Sequence, residues 1–158
     1  MPEIEYAFLA DGADARPGQK FAIIGGGVSR LGGSAFPLRH PHLALVVGLA
    51  LEPAEIGQEL DLRFSILTPK GDEMATAQAS ITAGGPSDGR ASILTFALDL
   101  WNLSFPMQGD YDIRIFVGSE ERKRLSLIVE LHRPERSTKP PSGPARVTPP
   151  FPPQTGNA

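Results

Sequence analysis

Apolar and polar positions alternate almost without a break across residues 105–131. Tyr111, Ile113, Ile115 and Val117 fall on one side of an extended segment. After a Gly-Ser-Glu-Glu turn, Leu125, Leu127, Val129 and Leu131 repeat the pattern. A period of two means a strand with one face in a core and the other in water. Two such runs across a short polar turn predict a β-hairpin.

Six more strands follow from the same reading. Residues 4–9 form the first, ended by Asp11-Gly12, and Arg16-Pro17-Gly18-Gln19 is turn chemistry. Residues 21–24 form the second, extending toward Ser29, where Gly25-Gly26-Gly27 signals a bulge or a close backbone approach. Leu43, Leu45, Val47, Leu49 and Leu51 define the third. Its other face is also apolar, as in a central or covered strand. Leu60, Leu62, Phe64 and Ile66 alternate with polar residues in the fourth. The fifth offers only Ala75, Ala77, Ala79 and Ile81, which suits a sheet edge or a narrow part of the core. A loop at 84–89 precedes the sixth, with Leu94, Phe96, Leu98 and Leu100 in phase. The sum is an all-β chain: an antiparallel β-sandwich of about eight strands, immunoglobulin-like, with Leu62, Phe64, Ile113, Ile115, Leu127 and Val129 sharing one core.

The pattern stops at Leu131. Residues 133–158 hold eight of the sixteen prolines and almost no large apolar residues. Proline lacks an amide donor and fixes φ, so this stretch joins neither a sheet nor a helix. It is read as a disordered, Pro-rich basic tail of polyproline II character, leaving a sandwich domain at 1–132.

A core of 1–132 is large enough to stand without staples. The chain has no cysteine, which removes disulfides, thiolate metal sites and cysteine nucleophiles. The opening MPEIEYAFLADG lacks the basic and apolar regions of a signal peptide, and no apolar run approaches the length of a membrane span. A cytoplasmic location is the expectation. The net charge is −3, and Arg133, Arg136, Lys139 and Arg146 against Glu135 put +3 in the tail, so 1–132 carries −6. An acidic body argues against nucleic acid as a partner. Arg122, Lys123 and Arg124 abut Glu120 and Glu121 and read as a solvated turn.

Two further stretches resemble a known group. The first contains Leu9-Ala10-Asp11, Ala13, Gly18, Lys20, Gly25, Phe36-Pro37 and His40; the second runs from Leu100 to Tyr111 as L-W-N-L-x-F-P-x-x-G-x-Y. Together they are similar to an uncharacterised family of small bacterial β-sandwich proteins, a domain of unknown function. Its members open with L-A-D-x-A, then G-K, then F-P-x-x-H. The likeness spans residues 4–131. This chain departs at Gly26-Gly27-Val28, where the family pattern carries a bulkier aromatic residue. The resemblance implies the fold and supplies no catalytic residue.

Candidate chemistry is sparse. The glycine-rich run 24–33 follows a strand but lacks the Lys-Ser/Thr ending and the helix of a phosphate loop, so it reads as a strained bend. His40 and His42 flank Pro41 and would share a face of an extended segment, but zinc needs another ligand, and hydrogen-bonded histidines in a pre-strand turn fit better. Neither a metal nor a cofactor is expected. Asp11 and Asp14 read as Asx turns in one loop rather than a paired-carboxylate site. Tyr111 after Gly109-Asp110 reads as a tyrosine corner, and Trp101 as a plug at one end of the sandwich. No nucleophile elbow is present, and no catalytic residue is assigned. In the tail, Arg146, Pro149, Pro150, Phe151 and Pro152 match a basic residue followed by P-x-x-P, a partner-binding motif that docks into aromatic grooves, against the alternative of a plain spacer.

The sequence therefore points to a non-catalytic binding, accessory or scaffold protein acting on an unknown protein partner, with neither nucleic acid nor membrane involved. Two alternatives stay open. One is a small enzyme or ligand-binding protein with a site at one end of the sandwich. The other is a structural subunit that assembles through an exposed strand edge.

Overall fold

The structure is a computed structural model, and it describes residues 1–86 and 88–132. Arg146, Pro149, Pro150, Phe151 and Pro152, with the rest of the segment 133–158, lie outside the described residues. Nine strands follow one another: β1 (Glu3–Asp14), β2 (Ala22–Gly26), β3 (Arg30–Gly33), β4 (Leu38–Leu51), β5 (Glu59–Leu67), β6 (Glu73–Thr82), β7 (Ser92–Phe105), β8 (Gly109–Val117) and β9 (Glu120–Leu131), with one 3-10 turn at Pro53–Glu55. Among the described residues no helix is long and apolar enough to cross a membrane.

Two sheets form the sandwich, the first in the order β2–β1–β4–β7 and the second in the order β3–β9–β8–β5–β6. With β1, β4 and β7 in the places of strands A, B and E, and β5, β8 and β9 in those of C, F and G, the order is immunoglobulin-like. Every pair is antiparallel except β3 with β9, which run parallel from Arg30 opposite Ile128 to Gly33 opposite Leu131. Leu43, Leu45, Val47, Leu49 and Leu51 of β4 line the inner side of the first sheet. They close over Leu62, Phe64, Ile113, Ile115, Leu127 and Val129, all buried in one cluster as their alternation requires. The alanine-rich β6 is an edge strand, as its small side chains suggest.

Four local readings need correction. The expected second strand ends at Gly26, and the unexpected ninth strand, β3, lies in the glycine-rich run that reads as a strained bend. Gly27 and Val28 both donate their N–H groups to the Leu9 carbonyl at 2.9 Å, while Gly25 and Gly27 take φ of 60° and 83°. Side chains are strained at such φ, so the glycines let the chain leave β1 and cross to the other sheet. The hairpin turn is shorter than expected: Gly118 and Ser119 make it alone, and Glu120 to Arg124 already belong to β9. Leu131, at the frayed end, is exposed rather than in the core.

The fourth correction concerns β7. Its inward phase runs Leu94, Phe96, Leu98, Leu100 and then jumps to Leu103 and Phe105. The jump occurs at Asn102, the one non-glycine residue with positive φ among those described (52°), at the strand position facing Pro41. Asparagine tolerates the left-handed region, and Pro41 offers no N–H to pair with. Both strands change face there.

Candidate functional site

The two outer faces of the sandwich differ in kind. On the second sheet, Arg124 bonds Glu121 at 2.9 Å and approaches Asp112 at 3.6 Å, Arg114 approaches Glu121 at 3.7 Å, and the Arg63 guanidinium sits 4.0 Å over the Phe116 ring. The hydrogen bond from Arg124 holds the Glu121 carboxyl below its ordinary range, with the Arg114 charge adding to it. This face is an ion-paired, solvated surface.

The outer face of the first sheet is aromatic and aliphatic. Its register sets Tyr6 beside Gly48 and Thr95, Phe8 beside Val46 and Ala97, Ala10 beside Ala44 and Asp99, and His42 beside Trp101. Gly48 has no Cβ because the Tyr6 ring covers it. The Tyr6 hydroxyl bonds the Thr95 hydroxyl, and the ring stacks on Phe8 with centroids 6.2 Å apart. The turn between β1 and β2 folds back over this face far enough to bring Phe21 within 6.3 Å of Tyr6. Large apolar side chains remain in solvent here: Phe21 is 41 % exposed, Ile93 54 % and Trp101 65 %.

Between the returning turn and the loop before β7 runs a groove of about 680 Å³. Tyr6, Thr95, Phe21, Ile93 and Pro86 line it. Gln19, Lys20 and Ser92 are among its polar groups, and among the described residues no carboxylate lines it. Among the described residues the Ser92 Oγ is buried without a hydrogen-bond partner.

Further along the same face, His42 ties three strands together. Its Nδ1–H donates to the Asp11 carbonyl of β1 at 2.8 Å, and its Nε2 lies 2.7 Å from Asp99 Oδ1 of β7. The Trp101 ring packs against the imidazole with centroids 4.1 Å apart. Both nitrogens face acceptors, so the charged, doubly protonated form fits the site best. The Asp99 hydrogen bond raises the His42 pKa above its ordinary value, against partial burial, and the Asp11 carbonyl adds to the rise. An imidazole with both nitrogens engaged has no lone pair left for a metal or for abstracting a proton.

The structure therefore separates what the sequence placed together. His40 and His42 lie within β4, not in a turn before it, and His40 lines a different depression beside Arg39 and Asn102. Asp11 and Asp14 lie within β1 rather than in a loop, and three residues apart on a strand they point to opposite faces. Among the described residues no cluster of three or more metal-ligating side chains occurs. The glycine run is the crossover between sheets. Trp101 is not a plug; the phase change at Asn102 leaves it on the surface. Tyr111 is a tyrosine corner as expected, its O–H donating to the Met107 carbonyl at 2.7 Å and its oxygen accepting the Met107 N–H at 3.2 Å. Sequence reasoning missed Tyr6, Phe21, Ile93 and Ser92. The available signal was the apolar outer phase of β4, which demands a cover.

Comparison with solved structures finds likenesses of fold alone. The chain aligns with the alkylpurine DNA glycosylase AlkC of Pseudomonas fluorescens at 10 % identity and a TM-score of 0.45, covering 82 % of this chain and 30 % of that one. It thus spans less than a third of that enzyme. The CARDB domain of a Pyrococcus furiosus protein, solved in complex with di-metal ions, aligns at 13 % identity and a TM-score of 0.36 over 80 % of this chain and 91 % of that one. An immunoglobulin-like protein of Pseudomonas aeruginosa aligns at 10 % identity and a TM-score of 0.29 over 78 % and 96 %. No curated protein matches in sequence. Residues 5–130 match the model of a family of unknown function (DUF6941), and the chain belongs to that family.

Proposed function

We propose that this member of the DUF6941 family is a non-catalytic binding module that receives a protein partner on the outer face of its first sheet. One observation carries the reading. Of two outer faces built on the same frame, one is an ion-paired lattice while the other leaves Phe21 and Ile93 in water at a groove and Trp101 in water further along β7. Aromatic and aliphatic side chains gathered on one face mark an interaction surface, since desolvating them drives association. The working unit is the sandwich of residues 1–132, with 133–158 as a Pro-rich arm, acting as an accessory or scaffold subunit in the cytoplasm. Assembly through a strand edge has less support, because the long free edge of β7 is broken by the left-handed Asn102.

Site-specific photo-crosslinking in the cell of origin tests this. A photoreactive residue at Ile93 or Trp101 is expected to give discrete protein adducts, and one at Ser126 on the second sheet is not. Equal labelling from both faces, or none from the first, overturns the reading.

A further inference from the structure

From Met74 to Thr82, β6 reads M-A-T-A-Q-A-S-I-T, nine residues without a charge, a proline or a glycine. It is the outermost strand of the second sheet, and among the described residues no strand pairs with its other side. One row of backbone N–H and C=O groups is therefore open along about 30 Å. Edge strands are commonly blunted by a lysine, a proline, a bulge or an inward charge. From Ala75 to Thr82, β6 has none of these, and its register with β5 runs there without a shift. The neighbouring free edge, β7, is interrupted at Asn102. Ala75, Ala77, Ala79 and Ile81 face the core, since they lie opposite Ile66, Phe64, Leu62 and Leu60. Even so, Ala75, Ala77 and Ile81 are only partly buried, and a small apolar opening of about 40 Å³ lies where Ala75 and Ala77 meet Leu100 of β7.

We infer that this edge is the seam of a homodimer, in which β6 pairs antiparallel with the β6 of a second copy about a two-fold axis at Gln78. The strand is complementary to itself in that register. Gln78 is the midpoint of the uncharged run, so Gln78 meets Gln78, Thr76 meets Ser80, Ala77 meets Ala79 and Ala75 meets Ile81 of the other copy. Opposed side chains share a face, so Ile81 of each copy stands beside the opening at Ala75 and Ala77 of the other. Charge allows the contact. Residues 1–132 carry −6 in each copy, yet the seam sets no charged residue against another, and Glu73 falls opposite Ala83. The axis of an antiparallel seam stands perpendicular to the sheet. Two five-stranded sheets thus join into one, with both first sheets on the same side of it. Phe21, Ile93 and Trp101 are then presented twice in one direction, which gives a bivalent grip on a partner with two like epitopes. The pair closes on itself and builds no open array. The seam stands whether or not the first-sheet face receives a partner; only the bivalent grip needs both.

Because the chain has no cysteine, a single introduced one reports the seam. Full-length Gln78→Cys is expected to oxidise to a disulfide-linked dimer, since the two positions face each other across the axis. Thr76→Cys and Ser80→Cys should each stay unlinked alone and link when mixed before oxidation. Ser126→Cys, on β9, should stay unlinked in every mixture. Sedimentation of the wild-type chain should give twice its 16.9 kDa mass. Gln78→Lys sets two ammonium groups against each other and should sediment as a monomer, with its far-UV circular dichroism unchanged. A wild-type chain that stays monomeric at millimolar concentration overturns the inference. A dimer that survives Gln78→Lys, or that leaves Gln78→Cys unlinked, overturns it too, as do species larger than a dimer.

Discussion

The phenol ring of Tyr6 occupies the space that a Cβ at Gly48 would take, and its hydroxyl is fastened to Thr95 on the far side. One aromatic side chain thus links β1, β4 and β7 of the first sheet. Gly48→Ala should drive the ring off Thr95 and destabilise the fold by about 1–3 kcal/mol, the usual cost of overpacking. Equilibrium urea unfolding checks this. In a Tyr6→Ala background the same change should cost much less, because the obstruction is gone.

Tyr111 holds the corner into β8 through two bonds to Met107. Tyr111→Phe keeps the buried ring, which meets Phe105 edge-on at 5.1 Å, and removes only the hydroxyl. The loss is expected to be about 1–3 kcal/mol, because the Met107 backbone groups lose their partner. A variant as stable as wild type would deny the corner any structural weight.

His42 predicts a pH dependence with a defined sign. Its folded pKa lies above the ordinary value near 6.5, so its contribution is fully present below that value and fades as pH rises through the folded pKa. The melting-temperature gap between wild type and His42→Gln should therefore be widest near pH 5.5 and narrow by pH 8.5. A gap that widens with pH would reverse the assignment of charge.

Phe64 sits 3 % exposed and meets Phe96 edge-on across the sandwich, with ring centroids 6.3 Å apart. Phe64→Ala should cost about 3–5 kcal/mol by chemical denaturation. An unchanged midpoint would mean that the β5 register is wrong.

Removing metal should do nothing. With both His42 nitrogens engaged, EDTA is expected to leave the melting temperature where it was. A drop would promote His40 or His42 to a ligand.

Much of this fold is legible in the sequence because burial on a strand has period two. Phe64, Ile113 and Leu127 announce the core in that period, and the alanines of β6 announce an edge. The misplacements share a cause. At Gly25–Gly27 and at Asn102 the backbone leaves the β region, and the alternation on either side no longer belongs to one face. That is why β3 reads as part of a glycine-rich bend, and why Trp101 reads as interior. The groove is less legible still, since Tyr6, Phe21 and Ile93 are brought together by a turn that folds back over a sheet. His42 reads as a hydrogen-bonded histidine, but only the chain path reveals that Asp11 and Asp99 take its two nitrogens.

The parallel pairing of β3 with β9 also says something about order in time. Arg30 finds its partner at Ile128, so a strand made early stays unpaired until nearly the whole domain has been synthesised. Long closures of this kind slow folding, because the entropy of bringing distant segments together is lost before any contact compensates. The first sheet can associate once β7 has emerged, while the second waits for the last strand. Until that moment β3 remains a bare edge, and it is there that a nascent chain would meet a chaperone or a neighbouring copy.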